Sequence, residues 1–308
     1  MIELRQLRYF EAVASELNFS RAAERLHISQ PPLSRQIQQL EDELGAVLID
    51  RSARPLQLTP AGRFVFEHAV QTLARVREME DAARRIAQGQ RAWFGIGFVP
   101  STLYGLLPEL IRRFRAVHHD DVEVGLSELT TVQQLDALKA GRVDVGFGRL
   151  TLDDPEIECT TVLEEPIVAA LPVRHPLLAK KRIGLAALAL EPLILYPAKP
   201  RPSYADQVLN AFRAHGLAPR VAIEANELQT AIGLVAAGIG IALVPQSVQR
   251  LHRDDVDYRP LVEKDVSSPV IMNTRVGDRS PLLERFRALV EVLRAEPAAL
   301  KPRRGTPP

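Results

Sequence analysis

Residues Asn18 to Arg51 read NFSRAAERLHISQPPLSRQIQQLEDELGAVLIDR, and this stretch decides how the N-terminal part folds. Ala22 and Ala23 are small enough for two helices to cross closely. Leu26 and Ile28 bracket a tight turn, and Ser29 or Gln30 caps the helix that follows. Pro31 and Pro32 fall in its first turn, where backbone N–H groups have no intrahelical partner to lose. That helix buries Leu33, Ile37 and Leu40 and turns Ser34, Arg35 and Gln38 outward. Short polar groups and one arginine at the N-terminal half of a helix suit major-groove readout: arginine pairs with guanine, glutamine with adenine, serine with phosphate or base edges. The candidate DNA contacts are Ser29, Gln30, Pro31, Pro32, Ser34, Arg35 and Gln38, with Arg54 at a hairpin tip reaching a minor groove. The plainer alternative is a small three-helix bundle with a solvated polar face.

Upstream, Leu7, Phe10, Ala14 and Leu17 recur at helical spacing. Downstream, Thr59-Pro60 is a helix start, a capping threonine followed by a first-turn proline. The helix it opens runs to about residue 87, and Gly89-Gln90 ends it. Phe66, Val70, Leu73, Val76, Met79, Ala83 and Ile86 form one narrow apolar seam among Arg and Glu. Such a seam suits pairing with a second copy of the chain; packing on the chain's own body is the alternative.

From Trp93 onward strands alternate with amphipathic helices, at residues 93–98, 122–126, 143–147, 167–171, 193–196, 221–225, 241–244 and 270–275. Alternation of this kind predicts mainly parallel α/β sheets, and roughly 200 residues suit two lobes better than one sheet. The expected fold class is therefore α+β/α/β multidomain: an N-terminal winged helix-turn-helix (1–59), a long linker helix for dimerisation (60–90) and a C-terminal two-lobed α/β domain (91–296). Its subdomains are about 91–162 plus 267–296, and about 163–266. Residues 297–308, Pro-rich and basic, read as a disordered tail.

Three features of the second half suggest an anion site. Ser101-Thr102 follows the strand at 93–98 and opens a helix over 103–117; Thr130-Thr131 follows the strand at 122–126 and opens a helix over 132–140. Each pairs hydroxyls with the N–H groups and positive dipole of a helix start, although capping alone explains either hydroxyl. Arg149 lies past the carboxyl end of the strand at 143–147, where open α/β sheets bind ligands. Pro200-Arg201-Pro202-Ser203-Tyr204 would present a rigid turn and an aromatic ring across the cleft. The convergence favours a small carboxylate.

Taken together, Ala22, Ala23, Ser29-Gln30-Pro31-Pro32-Leu33-Ser34-Arg35-Gln36-Ile37 and Leu40-Glu41 closely resemble the LysR-type transcriptional regulators, and Leu58-Thr59-Pro60-Ala61-Gly62 resembles their wing-to-linker junction. The resemblance covers residues 1 to about 295; Ile49 stands where phenylalanine is commoner. GIGFVPSTLYGLLPELIRRFR, ALKAGRVDVGFGRL, ILYPAKPRPSYADQVL and ANELQTAIGLVAAGIGIALVP look like the CatR/BenM subgroup, whose members sense cis,cis-muconate and activate genes of catechol and benzoate breakdown. The resemblance implies that Ser101, Thr102, Thr131, Arg149, Pro202, Tyr204 and Val270 line a muconate site. BenM-like members carry an arginine for a second, aromatic effector where this chain has Leu163. It further implies a homotetramer, a dimer of dimers, that bends promoter DNA and recruits RNA polymerase when a small dicarboxylate inducer binds. Other acids, such as a chloromuconate or a benzoate-like compound, remain alternatives.

Bulk properties fit this reading without producing it. The net charge is +1, and the first 62 residues carry seven basic against eight acidic side chains, so DNA binding rests on motif rather than charge. One cysteine, Cys159, excludes an internal disulfide. The N-terminus MIELRQLRYF is not a signal peptide, which argues for a cytoplasmic protein and against a solute-binding protein of a transport system. Gly95-Ile96-Gly97 lacks the third glycine of a dinucleotide loop, His118-His119-Asp120-Asp121 reads as a polar loop rather than a metal site, and no nucleophile elbow occurs. No enzyme, cofactor or metal is expected.

Overall fold

The computed structural model describes residues 2–53, 56–87, 91–118 and 121–296, apart from the side chains of 78, 81, 82 and 85–87. The chain divides into two compact units, Met1–Gln90 and Arg91–Pro308.

In the first unit, α1 (Leu4–Glu16), α2 (Phe19–Arg25) and α3 (Gln30–Leu44) precede a two-stranded wing, β1 (Ile49–Asp50) and β2 (Gln57–Leu58), and then α4 (Pro60–Ala87). Asn18 caps α2 by accepting the N–H groups of Ser20 and Arg21. The core joins Phe10, Val13, Ala22, Ala23, Leu33, Ile37, Leu40 and Leu48, with the two alanines at the helix crossing as their size requires. Thr59 fastens α4 to the wing: its Oγ1 donates to the Val47 carbonyl at 2.7 Å and accepts the Gly62 N–H at 2.9 Å. Gly62 is forced here, because a Cβ at that position would sit 2.0 Å from the Leu48 carbonyl oxygen.

The second unit contains β3 (Ala92–Phe98), α5 (Leu107–His118), β4 (Val122–Glu128), α6 (Thr131–Lys139), β5 (Val145–Gly148), β6 (Ile157–Pro172), α7 (Leu185–Leu188), β7 (Pro192–Leu195), α8 (Tyr204–Ala214), β8 (Arg220–Glu224), α9 (Leu228–Ala236), β9 (Ala242–Pro245), β10 (Val256–Pro260), β11 (Ser267–Arg275) and α10 (Pro281–Ala295). Every predicted strand has a counterpart, but the sheets are not mainly parallel. In the order β10-β6-β11-β5-β3-β4, only β3 pairs in parallel, with β4 and β5. The pairs β11–β5, β11–β6, β10–β6 and β6–β9 are antiparallel, and a separate parallel pair joins β7 and β8.

The cause is β6, whose 16 residues extend roughly 50 Å at about 3.3 Å per residue. Its first half pairs with β11 beside one core, built on Phe94, Phe114, Phe147 and Phe286; its second half carries Ile167–Leu171 into another, with Leu193, Phe212, Val235 and Leu243. One continuous strand thus serves both lobes. Polar alternation hid residues 157–166 and all of β10 from the pattern of apolar runs.

Candidate functional site

On α3 the buried and exposed faces fall as the spacing requires. Leu33, Ile37 and Leu40 are wholly buried, while Ser29, Gln30, Pro31, Pro32, Arg35 and Gln38 are exposed and Ser34 is half-buried. Ser29 is the N-cap residue, though its side chain makes no capping bond, and both prolines sit in the first turns. Arg35 has no ion-pair partner among the described residues. Arg54 lies outside the described residues, so its minor-groove role stays an expectation.

Sequence reasoning missed what fixes this face relative to the wing. Glu41 is 6% exposed, and one carboxylate oxygen accepts the N–H groups of Leu48 at 2.8 Å and Ile49 at 3.2 Å. The other oxygen takes Arg51 Nη2 at 2.9 Å, and Arg51 Nη1 reaches Gln38 Oε1 at 3.1 Å. A buried carboxylate is tolerated because backbone donors and a guanidinium saturate it.

In the second unit a cavity of ≈ 270 Å³ opens between the carboxyl ends of the first-lobe strands and the turn at residues 196–204. Its size is near the lower end of cavities that take small ligands, about 300–1,000 Å³. Of the seven expected residues, Ser101, Thr131, Arg149, Pro202 and Tyr204 line it. Thr102 and Val270 do not. Thr102 is 1% exposed with its hydroxyl donating to the Val99 carbonyl at 2.8 Å, and Val270 is buried in the first-lobe core. The walls gain Leu129, Leu150, Tyr196, Pro197, Asn226 and Leu228, and Glu128 and Glu227 stand exposed among the lining residues.

The local chemistry departs from expectation at two points. Ser101-Thr102 does not open a long helix. Pro100 starts a 3₁₀ turn over Pro100–Tyr104, and α5 begins only at Leu107, with Pro108 in its first turn. Among the described residues, the multi-turn helices that begin at lining residues are α6 at Thr131, α8 at Tyr204 and α9 at Leu228. Thr130 and Thr131 both line the cavity, and Thr130 commits its hydroxyl to a capping box with Gln133. Gly148 is required beneath Thr131, since a Cβ there would meet the Thr131 side chain at 2.9 Å.

Arg149 is no free fork either. It is 3% exposed; Nε donates to Ser101 Oγ at 2.7 Å, Nη1 to the Ser268 carbonyl and Oγ at 3.3 Å, and Nη2 to Glu165 Oε2 at 2.8 Å. Glu165 is itself buried, and its other oxygen accepts the Ser247 N–H. A carboxylate ligand at Arg149 therefore shares a guanidinium already neutralised from behind. Ser101 acts as acceptor for that guanidinium.

A DNA-reading winged helix-turn-helix and a two-lobed domain with an anion-friendly cleft in one chain define a ligand-responsive transcription regulator. Residues 4–63 match the family described as "Bacterial regulatory helix-turn-helix protein, lysR family", and residues 87–295 match "LysR substrate binding domain"; the chain belongs to the LysR family. It is 55% identical over 289 residues to the HTH-type transcriptional regulator CatR of Pseudomonas putida, covering 94% of this chain and 98% of that one. Full-length CbnR complexed with its target DNA is similar at TM-score 0.68 and 34% identity, covering 94% of this chain and 99% of that one. The BenM effector binding domain with its effector benzoate is similar at TM-score 0.64 and 35% identity, covering 70% of this chain and 98% of that one. Among the described residues no helix is long and apolar enough to cross a membrane.

Proposed function

We propose that this regulator activates genes of catechol and benzoate breakdown in response to cis,cis-muconate. In this reading residues 1–59 grip promoter DNA, 60–90 pair subunits within a tetramer, and 91–296 bind the inducer, whose arrival favours recruitment of RNA polymerase. The carrying observation is the cavity lined by Ser101, Thr131 and Arg149 together with the flat faces of Pro202 and Tyr204. Muconate is a rigid six-carbon dianion. The α6 start and the Arg149 guanidinium suit its carboxylates, and the proline and tyrosine faces suit its planar diene. The likeness to CatR supports the same assignment. Muconate acts only if it binds one quaternary state better than another.

Calorimetry on the full-length protein with muconate, sorbate and benzoate tests this directly. Muconate is expected to bind tightest and sorbate weakly, since a monoacid leaves one end of the cavity unused. A competing aromatic-acid reading draws on the benzoate-bound BenM domain. Benzoate outcompeting muconate would establish it instead.

A further inference from the structure

We propose that the hydroxyl of Tyr196, and not that of Tyr204, is the tyrosine hydrogen bond this pocket offers to its anionic ligand. The two tyrosines lie side by side in the lining, with ring centroids 5.2 Å apart and planes inclined by 38°. Their exposures are nearly equal, 6% and 7%. Their hydroxyls are not equivalent. Tyr204 Oη donates to the Leu243 carbonyl at 3.3 Å, so its bond is already made inside the second lobe. Tyr196 Oη is buried and has no hydrogen-bond partner among the described residues.

A hydroxyl taken out of water without a partner lowers stability, and native proteins pair the great majority of such groups. Tyr196 is also held firmly where it is. On one side Leu195 accepts the Ala225 N–H at 2.8 Å, and on the other Ala198 donates to the Ala225 carbonyl at 2.8 Å, so the turn cannot swing the ring outward to satisfy it. Tyr196 lines the same cavity as Ser101 and Arg149, so the unpartnered hydroxyl belongs to a residue of the anion site's own wall. Burial holds both phenols well above their ordinary range, so each remains a donor rather than a phenolate. A carboxylate seated at Arg149 would take this hydrogen bond directly or through a bridging water, within the cavity that both residues line. A fixed donor awaiting a partner also supplies selectivity, because a ligand without an acceptor there leaves it unsatisfied. The inference rests on the carboxylate-ligand reading above.

The test compares full-length wild type, Tyr196→Phe and Tyr204→Phe, each titrated with cis,cis-muconate by calorimetry and melted with and without it. Tyr196→Phe is expected to bind muconate about ten-fold more weakly or worse, while its unliganded melting temperature stays level or rises. Tyr204→Phe keeps its ring and gives up only the bond to Leu243; its unliganded melting temperature falls, and its affinity drops by about threefold at most. Wild type that binds muconate beside a Tyr196→Phe variant that binds equally well overturns the role of Tyr196 and leaves the pocket assignment standing. Equal losses in both variants also overturn it, pointing to the aromatic pair as a unit. A wild type that binds no muconate removes the pocket assignment and the tyrosine's role with it.

Discussion

Replacing Glu165 by glutamine separates the two jobs of the buried Arg149–Glu165 pair. The partners meet at 2.8 Å with side-chain exposures of 3% and 7%, so the pair is screened by protein rather than water. Removing one partner of such a pair leaves a buried uncompensated charge, at a cost of about 3–5 kcal/mol. For a unit of some 200 residues each kcal/mol shifts the melting temperature by about 2–4 °C, so Glu165→Gln is expected to melt roughly 10 °C below wild type. Its inducer affinity should move the opposite way. A ligand carboxylate at Arg149 would lie about 6 Å from Glu165, and like charges at that separation repel by about 3 kcal/mol at an effective dielectric of about 20. Water at the cavity mouth screens part of this, which leaves a gain of about ten-fold in muconate affinity. Paired melting curves and calorimetry on the full-length protein measure both effects. A variant that melts with wild type and binds muconate no tighter refutes the reasoning. Arg149→Ala is a poorer probe, because it strands Glu165 and confounds lost binding with lost fold.

Three further outcomes are expected. Arg35→Ala should lose about 1–3 kcal/mol of discrimination for the regulator's own promoter over unrelated DNA at fixed salt, with oligomeric state unchanged; undiminished discrimination would remove Arg35 from base readout. On α4, Leu73 is 4% exposed within the single chain, whereas Met79 is 63% exposed, so Met79→Asp rather than a change at Leu73 probes subunit pairing. Sedimentation should show a smaller particle, and unchanged mass would count against the seam. The Arg275 cluster sets an acid response: burial raises the Asp144 carboxyl, while the Ser280 amide and Arg275 overcome burial at Asp278 and lower it. Asp278 contributes stability that is lost as pH falls through its depressed value, and Asp144 contributes stability that is lost as pH rises through its raised one. They offset each other in acid, so Asp144→Asn should melt with a steeper fall than wild type as pH drops through the carboxylate range.

Both buried carboxylates that organise this chain were hidden for the same reason. Glu41 takes its partners from Leu48, Ile49 and Arg51, seven to ten residues on, and Glu165 meets Arg149 and the Ser247 amide, 16 and 82 residues away in sequence. Neither has a sequence spacing that differs from that of a solvated acid. What local chemistry dictates could be read: the Ala22-Ala23 crossing, the buried Leu33–Ile37–Leu40 face, the Thr59 cap, and Thr131 at the start of α6. Composition by itself announced nothing, because the unit that reads DNA is almost charge-neutral.

The errors fall where strand pairing and turn geometry are set at long range. The 3₁₀ turn at Pro100–Tyr104 looks like a helix start until Gly105, its C-cap residue, breaks off the run before α5. The first half of β6 carries Glu158, Thr160, Thr161 and Glu164 and reads as a loop, yet β11 pairs with it from Ile157 onward. That strand also sets the site's chemistry. β6 carries Glu165 to the junction of its two halves, where it faces Arg149 at the end of β5 and holds the Ser247 amide of the second lobe. An inducer that competes for Arg149 therefore acts on a residue that both lobes share, and the energy of that competition is what the Glu165→Gln measurement isolates.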